Sequence, residues 1–341
     1  MAEKFLALDR EDQREALLVA VNRTGRPSYL LEKDIWVVWT LNALFETPMG
    51  EHLVFKGGTS LSKAYGGLIA RFSEDIDLTH DIRQLIPDLV GDVEEPIPPS
   101  KSQSRKWTAA VRESLPAWIS DHVAPALRTA VDALDLKAEI IQDEDRLRLI
   151  YQTAADGYGY VNPEVLLEFG ARSTGEPAKR ISVACDAAAV LGELEFPVAE
   201  PRVMAAERTF WEKATAAHVY CLRESFRGDR FARHWHDLMK LAEAGIAASA
   251  ISDKKLAMRV AEHKQAFFAE KTEAGEEIDY RQAISGTLQL VPRGKALEEL
   301  ERDYLEMIKS ELLEGDPISF VALMERCQEI EDLANAAGKN A

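Results

Sequence analysis

The sequence predicts an α+β chain whose N-terminal half mixes helices with strands and whose C-terminal half is mostly helical. Short apolar runs with alternating faces fall between residues 52 and 185, helical spacing fills the chain from Val203 onward, and the pattern changes near Phe196–Pro201. A length of 341 residues suits about two domains. They are expected as an α/β domain over 1–200 and a helical domain over 201–341.

Glu11–Asn22 reads as a short amphipathic helix, with Leu17, Leu18 and Val21 on one side. A second helix begins at Ser28, the expected N-cap, and runs through LEKDIWVVWTLNALF. His52–Phe55 is an apolar strand that ends in KGGT, a loop signal. LSKAYG then gives a brief helix, and Asp75–Ile82 a strand with alternating faces. Pro87–Ser102, rich in proline and acid, is expected as a surface loop. Helical spacing resumes over Lys106–Leu134, interrupted by Pro116 and Pro125. Three or four strands follow in LKAEIIQ, RLRLIYQT, VLLEFGAR and ISVAC, the first pair reading as a hairpin. Helices are then expected in ERTFWEKATAAHVYCLRE and DRFARHWHDLMKLAEA, and over Lys254–Glu270, Ala296–Leu313 and Ile318–Ala334.

A net charge of −17, from 41 basic against 58 acidic residues, argues against a protein that coats nucleic acid non-specifically. It leaves room for a local basic patch. Lys101, Arg105 and Lys106 form one candidate, and Arg223, Arg227, Arg230 and Arg233, interleaved with aromatics, another. The plainer reading of both is a salt-bridged surface. Three widely spaced cysteines, Cys185, Cys221 and Cys327, fit a reducing compartment better than a disulfide framework or a CxxC metal knuckle. No run of ~18 apolar residues is present, and the first residues lack the pattern of a secretory signal. The expectation is a cytoplasmic protein with no membrane partner.

Two segments carry chemistry: Lys56-Gly57-Gly58-Thr59-Ser60, and RFSEDIDL over Arg71–Leu78. Paired glycines after a strand let the backbone approach a ligand and leave N–H groups that, with the next helix start, hold a phosphate. Alone, such a pair is usually just a turn. Asp75 and Asp77, two apart on a strand, put both carboxylates on one face, with Ile76 and Leu78 on the other. Two hard oxygen donors on a rigid face suit Mg²⁺, which takes one or two carboxylates plus substrate phosphates. A solvated edge strand is the plainer alternative. Combined, the order strand, GG[ST], helix, strand with DxD is the pattern of the DNA polymerase β-like nucleotidyltransferase fold, a mixed sheet with helices. There the glycine loop and hydroxyl grip the triphosphate of an NTP, while the carboxylates hold metal ions that activate the attacking hydroxyl and stabilise pyrophosphate. Glu168 shares a strand face with Leu166 and is unusual as a charge inside an apolar run. It is either a third carboxylate of the metal site or a counter-ion of Arg172. Lys56, Lys63, Arg71 and Ser73 flank the presumed phosphate site.

HLVFKGGTSLSKAYGGLIARFSEDIDLT resembles the AbiEii/AbiGii-type nucleotidyltransferase toxins, which include the MenT-like enzymes. LEKDIWVVWTLNALF is similar to that family's upstream helix, and RTFWEKATAAHVY with RHWHDL to its downstream motifs, so the resemblance covers roughly residues 28–335. It implies that Gly57, Gly58 and Thr59 grip the nucleotide and that Asp75 and Asp77 bind metal. It also implies that Lys213 neutralises the triphosphate and that Asp237 is the family's downstream acid. Read from the residues alone, Lys213 is an ordinary solvated lysine and Asp237 a partner for Arg233 one turn earlier. The activity implied is Mg²⁺-dependent transfer of NMP from an NTP to an acceptor, expected at the tRNA 3′ end, by the toxin of a toxin–antitoxin or phage-defence system. The antitoxin would be encoded next to it. Two rival readings are an enzyme that NMPylates a protein and a nucleotide-binding module without turnover.

Overall fold

The structure is a computed structural model that describes residues 2–155, 162–223, 230–310 and 313–339. The chain folds into two units. The first comprises Met1–Ala64, Ser73–Pro96 and Ala109–Met204; the second comprises Tyr65–Phe72, Ile97–Thr108 and Ala205–Ala341.

The first unit is built on a seven-stranded mixed sheet. Its strands are β1 (Leu53–Lys56), β2 (Ile76–His80), β3 (Ala138–Asp143), β4 (Arg146–Tyr151), β5 (Glu164–Gly170), β6 (Ala178–Arg180) and β7 (Arg202–Met204), in the spatial order β3-β4-β5-β2-β1-β7-β6. β3 and β4 form the expected hairpin. The central β2 runs antiparallel to β1 and parallel to β5. Alternation decides which face is buried. Leu147 and Leu149 of β4, Val165 and Leu167 of β5, and Ile76 and Leu78 of β2 are fully buried, whereas Arg146, Glu168 and Asp77 point the other way along the same strands.

Helix α1 (Arg10–Thr24) starts where Asp9 accepts hydrogen bonds from the Glu11 and Asp12 amides and ends at Gly25 in a left-handed conformation. Helix α2 (Ser28–Phe45) is buried on nearly all sides, as its apolar sequence requires. Ser28 is its first helical residue rather than its cap: Pro27 takes that position, and its carbonyl accepts from the Leu30 and Leu31 amides. Helix α3 (Gly57–Ala64) follows β1 without a loop, so the two glycines open the helix instead of preceding it.

Pro87–Ser102 is not all loop. Pro87, acceptable at a helix start because it needs no N–H there, begins a turn that ends at Val90, and α4 (Lys101–Trp118) begins inside the segment. Pro116 lies within α4 without ending it. A π-helical stretch, Ile119–Val123, joins α4 to α5 (Ala124–Ala133).

The second unit is helical after Ala205: α6 (Ala206–Arg223), α7 (Arg233–Glu243), α8 (Ile246–Ser252), α9 (Lys254–Phe267), α10 (Gly294–Lys309) and α11 (Phe320–Lys339). Its core includes Phe210, Trp235, Leu300 and Tyr304. The Trp235 and Trp211 indoles, buried there, donate to the Leu290 and Ala250 carbonyls. Among the described residues no helix is long and apolar enough to cross a membrane. The three cysteines are buried and free.

Candidate active site

Strand register assembles the first half of the site. Lys56 on β1 lies opposite Asp77 on β2, and Asp77 lies opposite Glu168 on β5, which in turn pairs with Arg146 on β4. Four neighbouring strands thus carry one row of charged residues, basic at both ends and acidic in the middle. The Arg146 guanidinium reaches Glu168 at 2.8 Å, so the counter-ion of that carboxylate is Arg146 rather than Arg172.

Asp77 is also tied to the start of α3. Gly57 has φ +81°, and a Cβ built there would run into the Asp77 carboxylate, 2.8 Å from its Cγ and 3.0 Å from its Cβ. Only a residue with no side chain fits both the backbone and the carboxylate. The first-turn amides of α3 have no carbonyl of their own helix to bind. The helix start presents partial positive charge beside Asp77.

Asp75 comes one residue before β2, not within it, so its place is not set by the ladder. The Thr59 hydroxyl donates to its backbone carbonyl at 2.5 Å and lies 2.9 Å from the Ser73 hydroxyl. The Ser60 hydroxyl donates to the Gly57 carbonyl. The Asp75 carboxyl is pushed up to about 6, first by burial and next by the neighbouring Glu74; Lys33 opposes this, and Glu168 and Asp77 add to it. One Glu74 oxygen is buried with no hydrogen-bond partner, and the Lys33 ammonium lies 3.6 Å from it.

Lys33 and Glu74 are site residues that motif reading passed over. The available signal was the run Glu32-Lys33-Asp34 inside an otherwise apolar helix, because buried charges persist only with partners. All three have them. Glu32 accepts from the Thr153 hydroxyl and the Ala154 and Ala155 amides. Asp34 binds Lys63 at 2.5 Å. Lys63 also binds Asp186 at 2.8 Å, and Asp186 binds Arg26. Lys63 is thus committed to a buried ion network rather than left for phosphate.

Lys213 and Asp237 belong to the second unit and meet there. Asp237, on α7, is fully buried; Arg71 grips both its oxygens at 2.7 and 2.8 Å, and Lys213 from α6 reaches it at 2.8 Å. Burial alone would raise the Asp237 carboxyl, but Arg71 and Lys213 outweigh it and hold the group far below the usual carboxylate range. Burial pushes the Lys213 ammonium down, with Asp237 pulling against it. The expected partner of Asp237, Arg233, is replaced by Arg71. Neighbouring His236 is fixed by the Ile69 carbonyl at 2.8 Å.

The basic candidates are partly neutralised: Arg223 is paired with Glu270 and Lys101 with Glu277. Arg227 lies outside the described residues.

Asp75, Asp77, Glu168 and the buried Glu74 oxygen supply only hard oxygen donors, and burial together with the neighbouring carboxylates disfavours ionisation of Asp75. That chemistry fits a divalent cation bound through one or two carboxylates and substrate phosphates. Among the described residues no group of three or more His, Cys, Asp or Glu side chains is by itself arranged to hold a metal ion.

Comparison with known proteins adds the following. A family model described as nucleotidyl transferase AbiEii toxin, type IV toxin–antitoxin system, matches residues 39–326. Among solved structures, MenT4, a nucleotidyltransferase toxin from Mycobacterium tuberculosis H37Rv, is similar at 17% identity and a TM-score of 0.40, over 97% of this chain and 99% of that one. No curated protein matches the chain.

Proposed function

The chain belongs to the AbiEii family of nucleotidyltransferase toxins of type IV toxin–antitoxin systems, and we propose that it moves an NMP from an NTP onto the 3′-terminal hydroxyl of tRNA. The acceptor oxygen attacks the α-phosphorus, the bond to the bridging oxygen breaks, and pyrophosphate leaves. The observation that carries this reading is the contact between Gly57 and Asp77, which places a helix start, whose first-turn amides have no partner in their own helix, against a carboxylate.

In this reading the backbone of Gly57 and Gly58 receives the triphosphate, and Lys56, beside Asp77 in register, adds positive charge there. Asp75 and Asp77, with Glu168, would hold Mg²⁺. When bound, the cation lowers the pKa of the acceptor hydroxyl and offsets charge on the leaving group. Lys33 keeps Glu74 and Asp75 from repelling each other outward. In the second unit, Asp237, gripped by Arg71, fixes where the Lys213 ammonium sits. The setting is the cytoplasm, and the partner that restrains the toxin is an antitoxin encoded beside it.

The test supplies the purified protein and Mg²⁺ with each labelled NTP in turn, together with total RNA and total protein. Label on tRNA that vanishes in Asp75→Ala and Asp77→Ala, both still folded, is the expected result. Label in the protein fraction alone would convert the assignment to protein NMPylation. NTP binding with no pyrophosphate released would leave only a binding module.

A further inference from the structure

The two aspartates of the site are anchored by different means. Asp77 sits inside β2, with Lys56 and Glu168 across from it on either side. Asp75 lies before the strand, outside its ladder of hydrogen bonds. Its position is therefore set by contacts outside the ladder.

The described hydrogen bonds supply one tether, the Thr59 side chain. Thr59, a residue of α3, is 1% exposed. It donates its proton to the Asp75 carbonyl at 2.5 Å and faces the Ser73 hydroxyl at 2.9 Å. A hydroxyl has one proton to give. With that proton on the Asp75 carbonyl and Ser73 alongside, the group is spent inside the protein. We propose that Thr59 is a positioning residue that fixes Asp75 for cation binding, and that this turn grips the triphosphate through backbone amides alone. The inference rests on the reading of Asp75 as a cation ligand and changes the part played by Thr59 within it. Mg²⁺ requires oxygen donors at closely defined distances, and a displacement of about 1 Å in a reacting site can cost about a hundredfold in rate.

Thr59→Val removes the hydroxyl with little change of shape, and Thr59→Ser restores it. Two readouts separate the roles: Mn²⁺ binding to the nucleotide-free protein, followed by the electron paramagnetic resonance of free Mn²⁺, and kcat against KM for the NTP. In Thr59→Val, half-saturation by Mn²⁺ should rise about tenfold and kcat fall up to about a hundredfold, with KM for the NTP unchanged within about twofold. Thr59→Ser should recover both. Ser73→Ala, which loosens the same tether from its far side, should move Mn²⁺ binding in the same direction even where the valine variant fails to fold. A raised KM with Mn²⁺ binding and kcat intact would make Thr59 a phosphate ligand and overturn the proposal, as would a valine variant that behaves like the wild type. Wild-type protein that neither binds Mn²⁺ nor releases pyrophosphate would instead remove the underlying reading, and this inference with it.

Discussion

Asp237→Asn tests the buried charge cluster of the second unit with almost no change in shape. The substitution removes the negative charge that binds Arg71 and Lys213, at 2.7–2.8 Å in a site where Asp237 is fully buried. Breaking a buried pair by deleting one partner costs about 3–5 kcal/mol. A second route gives a similar figure. The cheapest escape for Lys213 is to lose its proton, and doing so at pH 7 from an ordinary value near 10.4 costs about 4–5 kcal/mol. Urea denaturation should therefore show the unit less stable by about 3–5 kcal/mol. Adding Lys213→Met to Asp237→Asn should recover part of that loss, because an apolar side chain there no longer needs a counter-charge. A double-mutant cycle with coupling of at least ~1 kcal/mol is expected. The sign with pH also follows. Asp237 is held below its ordinary range, so it contributes stability above about pH 4 that is lost as pH falls below that range. A loss under ~1 kcal/mol in Asp237→Asn, or additive losses in the cycle, would refute the cluster as a stabilising unit.

Asp75 has the opposite sign: its carboxyl is pushed up to about 6, so the metal-free protein gains stability from it at low pH and loses it as pH rises through 6. Asp75→Asn should raise the melting temperature of metal-free protein at pH 7, by an amount equivalent to no more than ~3 kcal/mol, while abolishing transfer; an unchanged or lower melting temperature counts against a charge penalty on Asp75 from burial and its carboxylate neighbours. Gly57→Ala should cost at least ~1 kcal/mol from the left-handed backbone alone and should cut transfer more than stability, because its methyl displaces the Asp77 carboxylate. Active Gly57→Ala protein with normal kcat would mean that Asp77 need not stay where it is. Lys33→Met should raise the Mg²⁺ concentration needed for half-maximal activity by about tenfold, since the ammonium beside Glu74 orders the segment leading to Asp75. An unchanged requirement would assign Lys33 to packing alone.

Much of this was legible in the residues themselves. Alternation of apolar and charged positions marked β2, β4 and β5 as strands, and the GG[ST] and DxD motifs marked the two segments that come together. Other features depend on partners far along the chain, where local patterns carry no trace. Nothing near Asp237 announces Arg71, which lies 166 residues earlier, and nothing near Glu168 prefers Arg146 over Arg172. The strands Ala178–Arg180 and Arg202–Met204 are too short for periodicity to register and exist because β1 offers a free edge. The glycine pair after a strand reads as a loop signal; as the first residues of α3, the two glycines escape the penalty glycine carries in helix interiors.

The chain's weave between its units limits how it can be dissected. A fragment beginning at Ala205 would keep every helix from α6 to α11 yet leave out Tyr65–Phe72, and with it Arg71. Half of the counter-charge on Asp237 would be missing from such a truncation, so the helical portion cannot be harvested as a free-standing module by a single cut in the gene.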